Sequence, residues 1–156
     1  IVTITDINEE RVHQIGAKYG AKIFTGDDLY AADVDIYAPC ALGATINDET
    51  INKFKAKVIT GAANNQLANE AVHGKLLKEK GILYAPDFLI NAGGVINVYS
   101  EIVHWSKEQV IEKTENIYNT ALDIFNLADA NNITTHQAAF TMAQKRIDDT
   151  KNALNK

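Results

Sequence analysis

The chain has 156 residues, one domain's worth, enough to bury roughly 70% of its unfolded surface and so to build a true core. A formal charge of -5 with no basic run excludes a binder of phosphate backbones, so nucleic acid is not an expected partner. One cysteine and four scattered histidines fit neither a disulfide framework nor a structural metal site, and no apolar run nears the roughly 20 residues that span a bilayer; a soluble protein of the reducing cytoplasm, with no membrane partner, is the expectation.

Residues 1–5 are β-branched throughout and read as a strand that stops at Asp6. Because the chain opens inside a strand, an upstream portion is expected. Asn8, Glu9 and Glu10 supply a cap and an acidic first turn for a helix whose apolar face is Val12, Ile15 and Tyr19, and Gly20 stands where a left-handed C-cap is wanted. Residues 22–24 form a short strand, 27–33 a polar or short helical connection, and 34–37 another strand. Asn47 to Thr50 caps a brief helix through about Phe54, and residues 57–60 are a strand ending in Gly61-Ala62-Ala63-Asn64-Asn65-Gln66. A helix over about 68–80, interruptible at Gly74 and stopped by Gly81, precedes a strand at 82–84. Strand and helix alternate, which predicts parallel crossovers.

Past Asn91 the pattern turns helical. Ser106 and Gln109 have capping-box spacing, and Val110, Ile111, Ile117, Ala121 and Phe125 continue at helical intervals in the longest periodic segment. Thr134 and Gln137 repeat the box before a last helix of about a dozen residues, and the polar tail over 148–156 is expected to fray.

The chemistry concentrates where strands end. Residues 35–44 and 86–98 each run from an apolar stretch into a turn of small residues, a composition that delivers backbone amides and compact polar groups to the edge where open α/β sheets bind ligands. Asp6 ends a strand as does the acid that accepts hydrogen bonds from ribose hydroxyls in dinucleotide-binding folds; the other reading is an Asp that only begins a turn. Its carboxylate would repel a 2'-phosphate, and neither Ile7 nor Asn8 offsets that, which favours NAD over NADP. The Gly-rich turn expected about 20 residues before such an acid is missing. Gly93-Gly94 opens a helix, either to face an anion or carbonyl or to allow tight helix packing. Cys40 follows Pro39 with no His or cation near it in sequence, so it reads as a small lining residue rather than a nucleophile. Asn64, Asn65 and Asn91 suit a carboxamide or carboxylate, though strand-end Asn is also ordinary turn chemistry. No lysine sits where desolvation would tune it as a general base.

Residues 35–44 (DIYAPCALGA), 58–67 (VITGAANNQL) and 84–98 (YAPDFLINAGGVINV) together resemble the strand-end motifs of the Glu/Leu/Phe/Val dehydrogenase family, closest to its leucine-acting members, and the resemblance runs along essentially the whole chain. It implies a Rossmann-like α/β domain over 1–105 that lacks its first strand and Gly-rich turn, followed by C-terminal helices over 106–156 that pack toward a hinge and an upstream substrate domain. It implies NAD-dependent oxidative deamination of a branched-chain L-amino acid to a 2-oxo acid and ammonia, by a homo-oligomer. Asp6, Cys40, Ala41, Ala63, Asn64 and Asn91 then match cofactor-binding positions, and Asn65, Val95 and Val98 substrate-binding ones. The family's catalytic lysine, its carboxylate-binding lysine and its catalytic aspartate would all lie upstream of Ile1. No catalytic residue or metal ligand is therefore expected within the 156 residues, which by themselves should lack dehydrogenase activity and bind NAD weakly or not at all. The competing readings are a stand-alone nucleotide-binding or interaction module without catalysis and, with least support, a hydrolase using Cys40.

Overall fold

Among the described residues each strand is two residues long, Lys22 aside all β-branched, aromatic or leucine, so the sheets are narrow and the loops after them carry much of the chain. The computed structural model describes residues 1–154, which divide into two compact units, Ile1–Ala32 and the stretch from Asp33 on.

In the first unit β1 (Thr3–Ile4) and β2 (Lys22–Ile23) pair in parallel, with Thr3 opposite Lys22 and Ile4 opposite Ile23, joined by helix α1 (Glu9–Tyr19). Asn8 caps α1 by accepting the Arg11 N–H, and Gly20 closes it at φ 65°, a conformation that glycine adopts without penalty. The apolar face is narrower than its sequence suggests: Val12 and Gly16 are buried, whereas Ile15 and Tyr19 are exposed. Gly16 is the reason. Built there, a Cβ would lie 3.2 Å from the Ala21 carbonyl oxygen and 3.4 Å from Ile23, so the helix seats on β2 through a glycine rather than through the larger side chains.

In the second unit β3 (Ile36–Tyr37), β4 (Val58–Ile59) and β5 (Leu83–Tyr84) form one parallel sheet in that order, Ile36, Val58 and Leu83 in one row and Tyr37, Ile59 and Tyr84 in the next. Because the strands run the same way, the loops that follow them leave from one end of the sheet. The chain is thus α/β with C-terminal helices, as expected. Helix α2 (Glu70–Glu79) joins β4 to β5, capped by Asn69 and uninterrupted at Gly74, around which a Cβ would make only ordinary contacts at 3.9 Å. Ile46, Ile51, Ile59, Leu77, Ile82 and Tyr84 form the core beside the sheet. Each such side chain stabilises the fold by about 1.5–3 kcal/mol on burial.

Helices α3 (Asp87–Ile90), α4 (Gly93–Val103), α5 (Lys107–Glu115), α6 (Ile117–Asn131) and α7 (Thr135–Leu154) follow, with a second core where Leu89, Ile124, Ala128, Ala138 and Ala139 meet. Three expectations change. The brief helix after Asn47 is a run of turns: Asn47 does cap it, accepting from the Glu49 and Thr50 amides, but so few residues do not repay helix nucleation. The long periodic segment splits into two helices at Asn116, whose side-chain Oδ1 accepts from the side-chain Nδ2 of Asn119 at 3.0 Å. The last helix is 20 residues rather than about a dozen, because Gln144–Asp148 and Lys145–Asp149 pairs one turn apart continue it through most of the segment expected to fray; residues 155–156 lie outside the described residues. Both capping boxes form as read, at Ser106–Gln109 and Thr134–Gln137. Among the described residues no helix is long and apolar enough to cross a membrane.

Candidate functional site

The loops after β3, β4 and β5 are laced to one another at the carboxyl ends of their strands. Ala63 N–H donates to the Pro39 carbonyl at 3.0 Å and Ala44 N–H to the Asn65 carbonyl at 2.7 Å, and beyond the loops the two chains pair again as an Ile46–Leu67 bridge. Two glycines make this approach possible. A Cβ on Gly61 would fall 2.2 Å from Pro39 O, and one on Gly43 would fall 2.6 Å from Asn64 O, both against backbone that has no flexible end to yield. The small residues of these turns therefore serve loop-to-loop packing first.

Two residues of the lacing adopt left-handed backbone, Ala44 at φ 54° and Asn65 at φ 53°. Asn tolerates this conformation; for Ala it costs about 1 kcal/mol. Both are held by hydrogen bonds. Asn65 N–H donates to Asp87 Oδ2 at 2.6 Å, and Asn47 Nδ2 donates to the Ala44 carbonyl at 2.9 Å. From beneath, the wholly buried Gln66 donates through Nε2 to the carbonyls of Gly61 at 2.7 Å and Ala63 at 2.9 Å, which fixes the β4 turn from its inner side.

On the outside of this frame Asn91 Nδ2 donates to Asn64 Oδ1, joining the β5 loop to the β4 loop. Two primary amides that share one hydrogen bond keep a donor and an acceptor to spare. A primary carboxamide presents the complementary acceptor and donor. Asn64 is exposed and Asn91 half-buried, so the pair is reachable from solvent.

The remaining expected positions divide by exposure. Cys40 and Ala41 are exposed on the β3 loop, so Cys40 is a surface thiol. Ala63 is buried, with its N–H on Pro39 and its carbonyl on Gln66, and it shapes the turn from within. The Asn65 side chain is exposed while both its backbone polar groups are engaged. Val95 and Val98 stand one turn apart on α4, 73% and 63% exposed, and Ile102, 70% exposed, continues the same face. Gly93 meets only Thr114 at 3.6 Å and Gly94 nothing within 4 Å, so tight helix packing does not account for this pair. In the first unit Asp6 is exposed just past β1, and its Oδ1 accepts the Asn8 N–H at 3.0 Å. An exposed carboxylate with one local bond has acceptor capacity left for hydroxyl groups, and the amide pair has a donor and an acceptor left for a carboxamide.

Sequence reading passed over Gln66, Tyr84 and Asp87. Asp87 is buried, and its carboxylate also accepts from Tyr84 Oη at 3.1 Å. Burial, and after it the negative charge of Asp87, pushes the Tyr84 phenol well above its ordinary value, so it remains a donor at any working pH. Pro followed by an acid at a strand end was the available signal, but nothing in sequence says that this acid turns inward.

Comparison with known proteins bears on what the site serves. The family model for glutamate/leucine/phenylalanine/valine dehydrogenase matches residues 1–154. The leucine dehydrogenase of Thermoactinomyces intermedius is 49% identical over 145 residues, 93% of this chain and 39% of that protein. The phenylalanine dehydrogenase of Lysinibacillus sphaericus is 45% identical over 150 residues, again 93% of this chain and 39% of that protein. The crystal structure of L-tryptophan dehydrogenase from Nostoc punctiforme superposes with a TM-score of 0.91 at 43% identity, over 96% of this chain and 45% of that one. The chain spans about two-fifths of the length of the curated relatives it matches.

Proposed function

This chain belongs to the glutamate/leucine/phenylalanine/valine dehydrogenase family, and on that footing we propose that it supplies the cofactor-binding part of an NAD-dependent amino-acid dehydrogenase. The reaction converts an L-amino acid, NAD and water to a 2-oxo acid, ammonium, NADH and a proton. The chemistry that NAD would supply when bound is that of an acceptor for the hydride of the substrate's α-carbon. Asp6 holds the ribose hydroxyls and by its charge disfavours a 2'-phosphate. Cys40, Ala41 and the Ala63-Asn64 turn border the dinucleotide, and Asn64 with Asn91 reads the carboxamide. The observation that carries the reading is the Asn64–Asn91 pair, fixed where three parallel strand ends converge.

Asn65, Val95 and Val98 serve the amino acid. Two exposed valines on one helix face suit an aliphatic side chain and offer nothing to a second carboxylate, so the substrate is a branched-chain amino acid such as leucine. The relatives named for leucine, phenylalanine and tryptophan lie at similar identity, and the choice among apolar substrates therefore rests on this helix face. Residues 106–156 lie toward the hinge and a substrate domain, the protein works as a homo-oligomer in the cytoplasm, and the family's catalytic lysine stands outside these 156 residues. None of the three site loops, over 38–44, 60–66 and 85–91, contains a lysine.

The test is calorimetry with NAD and NADP on the protein expressed from its complete gene, beside NADH formation with leucine, valine, isoleucine, phenylalanine and tryptophan. NAD binding in preference to NADP and fastest turnover of an aliphatic substrate are expected, with no turnover by the isolated 156 residues. Failure of the complete protein to bind NAD refutes the reading; turnover by the isolated chain refutes the placement of the lysine.

A further inference from the structure

Asp87 is not itself among the positions expected to meet a ligand, yet it is a buried carboxylate, and burying one is costly unless donors compensate it. Two do. Asn65 N–H reaches Oδ2 at 2.6 Å and the Tyr84 hydroxyl reaches Oδ1 at 3.1 Å, and hydrogen bonds to an ionised acceptor are the strong ones. The anchor is firm at its far side as well. Thr135 Oγ1, at the start of α7, donates to the Tyr84 carbonyl at 2.7 Å. The residue thus clamped, Asn65, is the left-handed one at φ 53°, and its neighbour Asn64 carries the amide bonded to Asn91. Asp87 and Asn91 stand at the two ends of α3, so this short helix holds the β4 turn by its backbone at one end and by its side-chain amide at the other.

We propose that Asp87 is a positioning residue: by clamping the Asn65 turn in its left-handed form it sets the direction in which the Asn64–Asn91 pair presents its amide groups to the nicotinamide carboxamide. Tyr84 is the part of the clamp that keeps the carboxylate aimed at Asn65. The inference rests on the cofactor reading above. It adds a specific consequence, that the clamp governs recognition of the nicotinamide end of the dinucleotide and leaves the ADP-ribose end alone.

The test measures dissociation constants for NAD and for ADP-ribose by calorimetry on the complete gene product, in wild type, Asp87→Asn, Tyr84→Phe and the double variant Asp87→Asn/Asn65→Gly. Hydrogen exchange is followed over residues 60–66 by mass spectrometry. An Asn at 87 keeps the shape but can turn an oxygen toward only one of the two donors. If the competent turn then falls to about one-tenth of the population, NAD affinity drops about tenfold. ADP-ribose affinity stays within about twofold on the same reasoning, since it lacks the group being read, and exchange over 60–66 accelerates. Glycine takes positive φ freely, so the double variant recovers NAD affinity. NAD binding by Asp87→Asn equal to wild type overturns the proposal, as does parallel loss of both ligands or no recovery in the double variant. Should Asp87→Asn not fold, Tyr84→Phe carries the test: the same split at smaller amplitude supports the clamp, and unchanged NAD binding refutes it. A wild-type protein that binds ADP-ribose but not NAD, or neither, fails the cofactor reading itself, a result distinct from the variants matching a binding-competent wild type.

Discussion

Gly61→Ala tests whether the site is built by loop-to-loop approach. The added methyl would sit 2.2 Å from Pro39 O, 2.6 Å from Pro39 N and 2.7 Å from Pro39 C, so the β3 and β4 loops must separate by more than an ångström to admit it. Separation strains the bonds that lace the strand ends, Ala63 N–H to Pro39 O at 3.0 Å and Thr60 N–H to Tyr37 O at 3.1 Å. Each contributes about 1 kcal/mol net, and overpacking against rigid backbone costs about 1–3 kcal/mol. The sum, about 3–5 kcal/mol, is a large share of the 5–15 kcal/mol that holds a typical domain together. Urea unfolding should show it as a lower midpoint at unchanged slope. Gly94→Ala is the control, because nothing lies within 4 Å of its Cβ position. Trading glycine for alanine inside α4 should stabilise by up to about 1 kcal/mol. A neutral Gly61→Ala, or equal losses at both positions, would refute the claim that the loops are packed against each other.

Two further perturbations separate strong from weak interactions. His73 is buried and accepts the Asn69 N–H on Nδ1 at 2.9 Å, which makes Nε2 the protonated nitrogen that faces Asp48 Oδ1 at 3.1 Å. His73→Ala should cost about 2–4 kcal/mol in the same unfolding assay through the lost bond and the cavity. Asp48→Ala should stay within about 0.5 kcal/mol, because its side chain is 88% exposed and solvent screens the pair. Equal effects would show that the Asp48 bond, not the ring's inner nitrogen, holds α2. Glu108 is held below the ordinary glutamate range by its own backbone amide in the first turn of α5 and then by the Ser106 hydroxyl. A carboxylate depressed in the folded state stabilises above its unfolded value and loses that contribution as pH falls through the lower folded value. Thermal unfolding of Glu108→Gln should therefore differ from wild type near neutral pH and converge with it in strong acid; divergence that grows toward acid would reverse the sign.

Much of the architecture is legible because it depends on neighbours in sequence. Caps at Asn8, Ser106 and Thr134, the left-handed stop at Gly20 and the positions of the five strands among the described residues follow from residue chemistry acting over three or four positions. The same locality explains the misreadings. Nothing near Ile15 or Tyr19 says that Gly16 is the contact with β2, and nothing near Asn47 says that its cap opens turns rather than a helix.

The site shows the division most clearly. Sequence by itself determined that strand ends carry small and amide residues, that Asp6 follows a strand, and, through three motifs in order, which family the chain resembles. It could not assign the small residues their task, because whether a glycine yields space to a ligand or to another loop depends on what stands opposite, and Pro39 stands opposite Gly61 from 22 positions away. Only the tertiary structure decided that Asn64 binds Asn91, 27 residues on, or that Asp87 turns inward to hold Asn65, 22 residues back. A hydrogen bond is a fact about distance and direction in space, and the parallel register that sets both is fixed by packing the whole sheet, not by the residues that the bond joins.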